Sequence, residues 1–428
     1  MEDKNEFDLE PFVERICRAK SRTEAVFAYI SGLHAVWDMK FIIASPDGAE
    51  PGFAANRDFA NGAAIRSLFR SEKVLFLDPK TIREAIVKRN DSIPFDYSIS
   101  LDSMALSHLK PFVSGRNPAK IDPDLKEVFE FIAQDDVHVD PLAYMSENLG
   151  NLAKGQKDCD EVFSRLRAYE VLRTLDKAHF KATNEARSYL TDAELDARAQ
   201  RVVAKMLHDS SDPSFMEGHG FQHAFAYAYL LKMSAIVLRR PQSSIDNKMW
   251  QFVEFCDNTL ATFGGRETVL ARAYFERGQD LNFFGRVQKK NDDLLRVLKN
   301  MAWDLSHARR MELGITLRPD SRARYFLPAL LTFDKDFIEV LDLYPLKACA
   351  FEEKSNIPMP FFDGDWKTAV ATTPEKRKAF FKRFFSEDAR SSRDQRRSKV
   401  RKGFRAVIAD LESEVCKAAG IEPRCSPK

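Results

Sequence analysis

The sequence predicts an α/β protein: a central parallel sheet flanked by helices and interrupted by a large all-α insertion. Three observations predict it. Two segments, FDYSISLD and RYFLPALLTF, read as strands that run into an acid and then a helix, the junction found at the carboxyl ends of parallel strands. Between them, residues 156 to 293 carry an almost unbroken helical pattern. At 428 residues the chain also exceeds the length over which one hydrophobic core keeps growing, so an insertion or further domain is expected.

The elements follow in order. Residues 1–90 mix helical pattern (EPFVERICRAK, TEAVFAYISGLHAVW) with short β-like runs (MKFIIAS, KVLFLD) around the turn-rich SPDGAEPGFAANRDFANG, which predicts a small α/β region. In residues 91–155, Phe95, Tyr97, Ile99 and Leu101 alternate as in a half-buried strand, placing Asp102 at its carboxyl end before a short helix stopped near Pro111. A helix is predicted from about 125 to 134. Another opens with Asp140 as N-cap and Pro141 at the first helical position. Within 156–293, the stretch AFAYAYLLKMSAIVL is the most apolar of the chain. It carries Lys232 and is too short to span a bilayer, so a buried helix is expected. Residues 294–350 give the long helix NDDLLRVLKNMAWDLSHARRMEL, a buried strand entered past Arg324, and a helix from about Asp336. Residues 351–428 form a basic helical region.

Composition narrows the class. Lysine and arginine number 66 against 64 acids, a net +2, so no overall field draws polyanions and any nucleic-acid affinity must be local. The local excess is in residues 374–405, with 13 Lys/Arg against 4 Asp/Glu. There, Phe380, Phe381, Phe384 and Phe385 share a helix face that would dock on the body. Arg390, Arg393, Arg396, Arg397, Lys399, Arg401 and Lys402 are candidate phosphate contacts, or simply solvated cations. The six cysteines include no CxxC, which argues against a zinc ribbon or a dense disulfide framework. The charged amino terminus lacks the apolar core of a signal peptide, so a reducing cytoplasm is the expected setting. No Walker A or GxGxxG stretch is present, which speaks against nucleotide-driven or dehydrogenase chemistry. His219 and His223 have a metal-sharing spacing. Flanking Gly218 and Gly220 and the lack of an intervening glutamate predict no metal there.

The acids carry the chemistry. Ligands of parallel sheets bind beyond the strands' carboxyl ends, so Asp102 and Asp334 meet if their strands are neighbours. Both are equally suited to capping the helix that follows. Asp304 falls on one helical stripe with Val297, Met301, Ala308 and Met311. A carboxylate set there needs a proton, a metal or a cation such as Arg309 or Arg324. Glu147 lies beside the Leu142, Met145, Leu149 row, and Asp336 suits the first turn of a helix.

In this order, SISLD, YMSEN, AWDLSHARRMEL and LLTFDKDF resemble the PIN-domain nucleases over residues 92–155 and 295–345. The layout is similar to PIN-like effectors of bacterial phage-defence or toxin systems. The resemblance implies a PIN-like core in which Asp102, Glu147, Asp304 and Asp334 bind Mg²⁺ or Mn²⁺. It makes Thr332 the hydroxyl that orients the cluster and Asp336 an accessory acid. His307, one turn beyond Asp304, would orient substrate or donate to an acid. The activity implied is endoribonuclease cleavage, RNA in preference to DNA, with a regulatory partner or self-association compatible with it and no membrane. The long helical block departs from the compact PIN pattern. The alternative is a non-catalytic nucleic-acid-binding or helical assembly protein using its basic C-terminal region. Crowded carboxylates cannot all ionise without counter-charge, and hard divalent cations supply it.

Overall fold

In the computed structural model, which describes residues 9–49, 56–71, 73–88, 93–113, 123–134, 136–152, 155–354, 357–364 and 366–422, the chain is a mixed α/β protein. Its residues group into two compact units. The first is Met1–Met216 with His307–Ile338 and Pro345–Asp363. The second is Glu217–Ser306 with Glu339–Tyr344 and Gly364–Lys428.

All the described strands belong to the first unit: β1 (Met39–Ala49), β2 (Arg57–Asp58), β3 (Ala64–Ser67), β4 (Val74–Leu77), β5 (Phe95–Leu101), β6 (Val139–Asp140), β7 (Tyr325–Thr332), β8 (Leu346–Glu352) and β9 (Met359–Phe362). One sheet has the order β2-β3-β7-β5-β6, the other β4-β1-β8-β9. The expected parallel sheet is therefore realised only over β7, β5 and β6, at one side of the first sheet, where β5 runs parallel to both neighbours. Strands β2 and β3 add antiparallel pairs, and the second sheet is antiparallel throughout. Connection length accounts for part of this: β5 reaches its parallel neighbours through helices, and the short links from β2 to β3 and from β8 to β9 permit only reversal.

The register of β5 on β7 pairs Ser100 with Leu330 and Leu101 with Leu331, so both strands end together, at Asp102 and Thr332. Every residue of β7 is buried, as its continuous apolar run requires of a strand covered on both faces. Alternating Ile99 and Leu101 join Ala329 and Leu331 in the core with Ala105, Leu109 and Phe129 from the covering helices. The helix after β5, Ser103–Val113, runs two residues beyond Pro111. A proline in the last turn costs one intrahelical bond and does not stop the chain at once. At β6, the Asp140 carboxylate accepts from the Leu142 N–H (2.9 Å) and from the Ser98 and Ser100 hydroxyls (2.5 and 2.8 Å), which ties β6 to β5; the expected N-cap is corrected, because the helix starts at Leu142 with Pro141, not Asp140, in the cap position.

The helical stretch beginning at residue 156 divides between the units. Helices Gln156–Arg173 and Asp192–Ser211 contribute Val162, Leu166, Tyr169, Leu195, Ala199 and Met206 to the first unit's core, and the division comes at Glu217. In the second unit, residues 226–238 are buried almost throughout, as the apolar stretch predicts. Helix Pro374–Phe384 docks by its phenylalanines: Phe380 and Phe384 are buried, each in edge contact with Trp250. No helix among the described residues is long and apolar enough to cross a membrane. The five described cysteines are free thiols, and Cys425 lies outside the described residues.

Candidate functional site

The carboxyl ends of β5 and β7 gather the site. Asp102 is 7% exposed. Its Oδ1 accepts the Ala105 N–H at 2.6 Å, the N-cap bond of the following helix, and its carboxylate also accepts from the Thr332 hydroxyl. Thr332, fully buried, in turn accepts the Asp334 N–H at 3.1 Å, so one hydroxyl links both strand-end acids. Burial pushes the Asp102 carboxyl up to about 6. The bonds from Thr332 and Ala105 offset part of this, the charge of nearby Glu147 adds to it, and His307 opposes it.

Glu147 comes from helix Leu142–Asn148, which follows β6. It accepts from His307 Nε2 at 2.7 Å and from the Ser103 hydroxyl and N–H. Burial alone would raise its carboxyl, but the His307 bond and charge and the two Ser103 bonds outweigh it and hold Glu147 below the ordinary value. His307 is 3% exposed, and among the described residues its Nδ1 has no hydrogen-bond partner. Arg310, one turn further along helix Leu294–Gly314, is half-buried. Desolvation brings its guanidinium down to about 10 although the charge of Glu147 favours the cation. Asn148 completes the surround, donating to Ser103 Oγ at 3.1 Å.

The predicted acids fare differently. Asp102 and Glu147 come together with Thr332 and His307. Asp334 stands at the same strand ends, but its Oδ1 accepts the N–H groups of Asp336 (2.9 Å) and Phe337 (3.1 Å), the capping alternative. Asp336 occupies the first turn of helix Lys335–Leu343. Asp304 groups with the second unit, in a stripe whose other members, Val297, Met301, Ala308 and Met311, are all buried. Arg324 is engaged elsewhere, by Glu84 at 2.8 Å. The expected four-acid cluster is thus not formed by the side chains as they stand: among the described residues no three His, Cys, Asp or Glu groups are placed to hold a metal together. The physical reason is that Asp334 is committed to its helix and Glu147 to His307. A two-carboxylate set remains, which suits Mg²⁺ or Mn²⁺, ions that keep several waters and use one or two protein carboxylates. Sequence reasoning missed Ser103, Asn148 and Arg310. The signal was their position, each within three residues of Asp102, Glu147 or His307.

On the basic helix, Glu387–Ala419, one expectation is corrected. Arg393 is buried and donates to Asp257 Oδ1 and the Phe384 carbonyl, both at 2.7 Å, so it faces inward and cannot contact phosphate. Arg396 also turns to Asp257, through its carboxylate (3.1 Å) and carbonyl (3.0 Å). Arg390, Arg397, Lys399, Arg401 and Lys402 are exposed. Arg397 pairs with Asp394, and Arg401 with Glu217, at the surface. His219 and His223 lie within helix Pro213–Arg239, both against Trp303, and His223 Nε2 bonds the Lys299 carbonyl at 3.0 Å.

No family model, curated protein or solved structure matches the chain.

Proposed function

We propose that the chain is a divalent-metal-dependent endonuclease resembling the PIN-domain enzymes, acting in the cytoplasm on RNA in preference to DNA, in the manner of a defence or toxin effector. One observation carries the reading: Asp102, at the end of the central parallel strand, is a buried carboxylate beside a second one, Glu147, and among the described residues no cation is bonded to it. A buried carboxylate beside a half-buried one calls for counter-charge beyond the His307 bond to Glu147, and hard oxygen donors match Mg²⁺ or Mn²⁺. Asp102 and Glu147 would hold the ion, which when bound supplies an activated water and charge stabilisation at the phosphodiester. Thr332 keeps Asp102 oriented, Ser103 steadies Glu147, and His307 and Arg310 balance the acids otherwise. Asp334 joins the ligand set on the resemblance alone. Of the basic helix, Arg390, Arg397, Lys399, Arg401 and Lys402 would grip the backbone, with salt-sensitive and sequence-independent affinity.

The competing reading, a non-catalytic nucleic-acid-binding or assembly protein, is favoured by a different observation: Glu147 and Asp334 already have hydrogen-bond donors that satisfy them. Labelled RNA and single-stranded DNA incubated with Mg²⁺, Mn²⁺ or EDTA decide between the two. Cleavage that requires metal and drops at least about a hundredfold in Asp102→Asn supports the nuclease, a loss on the scale of several kcal/mol of transition-state stabilisation. An Asp102→Asn variant that cuts as well as the native chain refutes it.

A further inference from the structure

The stretch TEAVFAYISGLHAVW is apolar around more of its circumference than one core-facing stripe requires. In the first unit it forms helices Arg22–Ser31 and Leu33–Val36, joined through Gly32, whose N–H donates to the Ala28 carbonyl (3.0 Å) and whose carbonyl accepts from Val36 (3.1 Å). Ala25, Ala28, Tyr29 and Val36 fill the core on one side. On the other, Phe27 is 65% exposed, Ile30 49%, Leu33 38% and Trp37 66%. At 3.6 residues per turn these four lie within about 120° of the circumference, opposite the buried row. The outer set therefore cannot turn inward without pulling the inner one out. The helices are also pinned: Gly32 lies so close to the Phe12 ring that a Cβ there would stand 2.9 Å from it, and His34 meets the same ring edge-on at 5.5 Å.

Apolar side chains scattered over a surface need no explanation, but four on one helical face do. An enclosed aromatic side chain buries about 150–250 Å², so Phe27 and Trp37 at these exposures present roughly 250 Å² to solvent. Ile30 and Leu33 bring the patch to roughly 400 Å², the size at which an exposed apolar patch marks an interaction site. Face to face, two such patches remove roughly 800 Å² from water. With Thr23, Ser31 and His34 at the rim, all exposed, the contact reaches the total of about 1,000 Å² that a specific interface needs.

The charges around the face indicate what covers it. From Ala25 to Trp37 there is no Asp, Glu, Lys or Arg, and the exposed flanks are balanced, Lys20 and Arg22 against Glu24 and Asp38. A balanced rim offers no attraction to an anionic lipid surface, which selects clustered lysine and arginine. It suits self-pairing, in which a surface must complement itself. We propose that this face is a two-fold interface between two copies of the chain. Ile30 stands halfway between residues 22 and 38, so helices crossing antiparallel at Ile30 set the Arg22 end of one copy against the Asp38 end of the other. Phe27 and Trp37 are the aromatic anchors of the contact.

The test is sedimentation equilibrium of the full chain over a range of concentrations, with flotation on vesicles of phosphatidylserine and phosphatidylcholine in parallel. A monomer–dimer equilibrium is expected. Phe27→Ser combined with Trp37→Ser is expected to weaken it at least about a hundredfold, since an aromatic anchor at an interface contributes about tenfold or more. Both side chains are exposed, so the double variant keeps the native circular dichroism. Arg22→Asp is expected to weaken the dimer about threefold, and adding Asp38→Arg to restore it. A native chain that is monomeric throughout overturns the proposal, and its flotation with the vesicles assigns the face to lipid instead. A dimer that the Phe27→Ser, Trp37→Ser variant leaves as tight also overturns it, and one indifferent to Arg22→Asp contradicts the antiparallel arrangement.

Discussion

Two acids, one in each unit, are equally buried at 7% exposure and could hardly be treated more differently. Asp257, in the second unit, receives Arg393 at 2.7 Å and Arg396 at 3.1 Å, and the basic helix Glu387–Ala419 is fastened by them. Asp102, in the first unit, receives a backbone N–H and a threonine hydroxyl and, among the described residues, no guanidinium or ammonium, while a second carboxylate stands nearby. The difference teaches what each is for. Two arginines are bonded to Asp257, whereas among the described residues none is bonded to Asp102, and Asp102 is the acid at a parallel strand's carboxyl end, the position at which parallel sheets bind ligands.

The comparison is broken most severely at Asp257. Arg393→Ala leaves a buried carboxylate with half its partners and is expected to cost about 3–5 kcal/mol in urea or thermal unfolding. A loss under about 1 kcal/mol would show that the pair does not fasten the helix. Asp102→Asn is expected to act in the opposite direction. Because burial raises the Asp102 carboxyl from 3.8 to about 6, the native chain holds this proton more tightly than the unfolded one. Its stability falls as pH rises from about 4 through 6, by an amount on the order of 3 kcal/mol. The asparagine lacks that fall, so it is expected to match the native chain near pH 4 and exceed it above pH 6. A variant less stable than the native chain at pH 7 contradicts the reading. Smaller again, Thr332→Val removes the link between the strand-end acids and is expected to cost about 1–3 kcal/mol while lowering metal-dependent cleavage. The smallest effect on stability, within about 0.5 kcal/mol, belongs to Lys399→Ala with Lys402→Ala, two exposed cations. Their loss is expected to flatten the salt dependence of single-strand binding by about 1.4 in log–log slope.

How much of this was legible in the sequence depends on the element. The two strand-acid-helix junctions were, because alternation at Phe95–Leu101 and the apolar run at Tyr325–Thr332 record burial directly. The adjacency of β5 and β7 was only a condition in the sequence, since pairing between segments so far apart leaves no local mark. The antiparallel additions escaped because β2 and β3 have only two and four residues, too few to show a period. Asp304 could be placed on its stripe, whereas the capping role of Asp334 could be named only as an alternative. Arg393 was misread as a surface cation although a signal existed. It stands in helical phase with Phe404, Leu411 and Val415, the buried face of its own helix. A run of charge hides such a residue, because net charge counts cations without asking which way they face.

The central claim is that Asp102 and Glu147 leave room for a divalent cation, and calorimetric titration of the full chain with Mn²⁺ at pH 7 tests it most directly. The expected result is saturable binding that Asp102→Asn and Glu147→Gln each weaken at least about tenfold while both variants stay folded. A native chain that takes up no Mn²⁺, or an Asp102→Asn variant that binds it as tightly, would contradict the account.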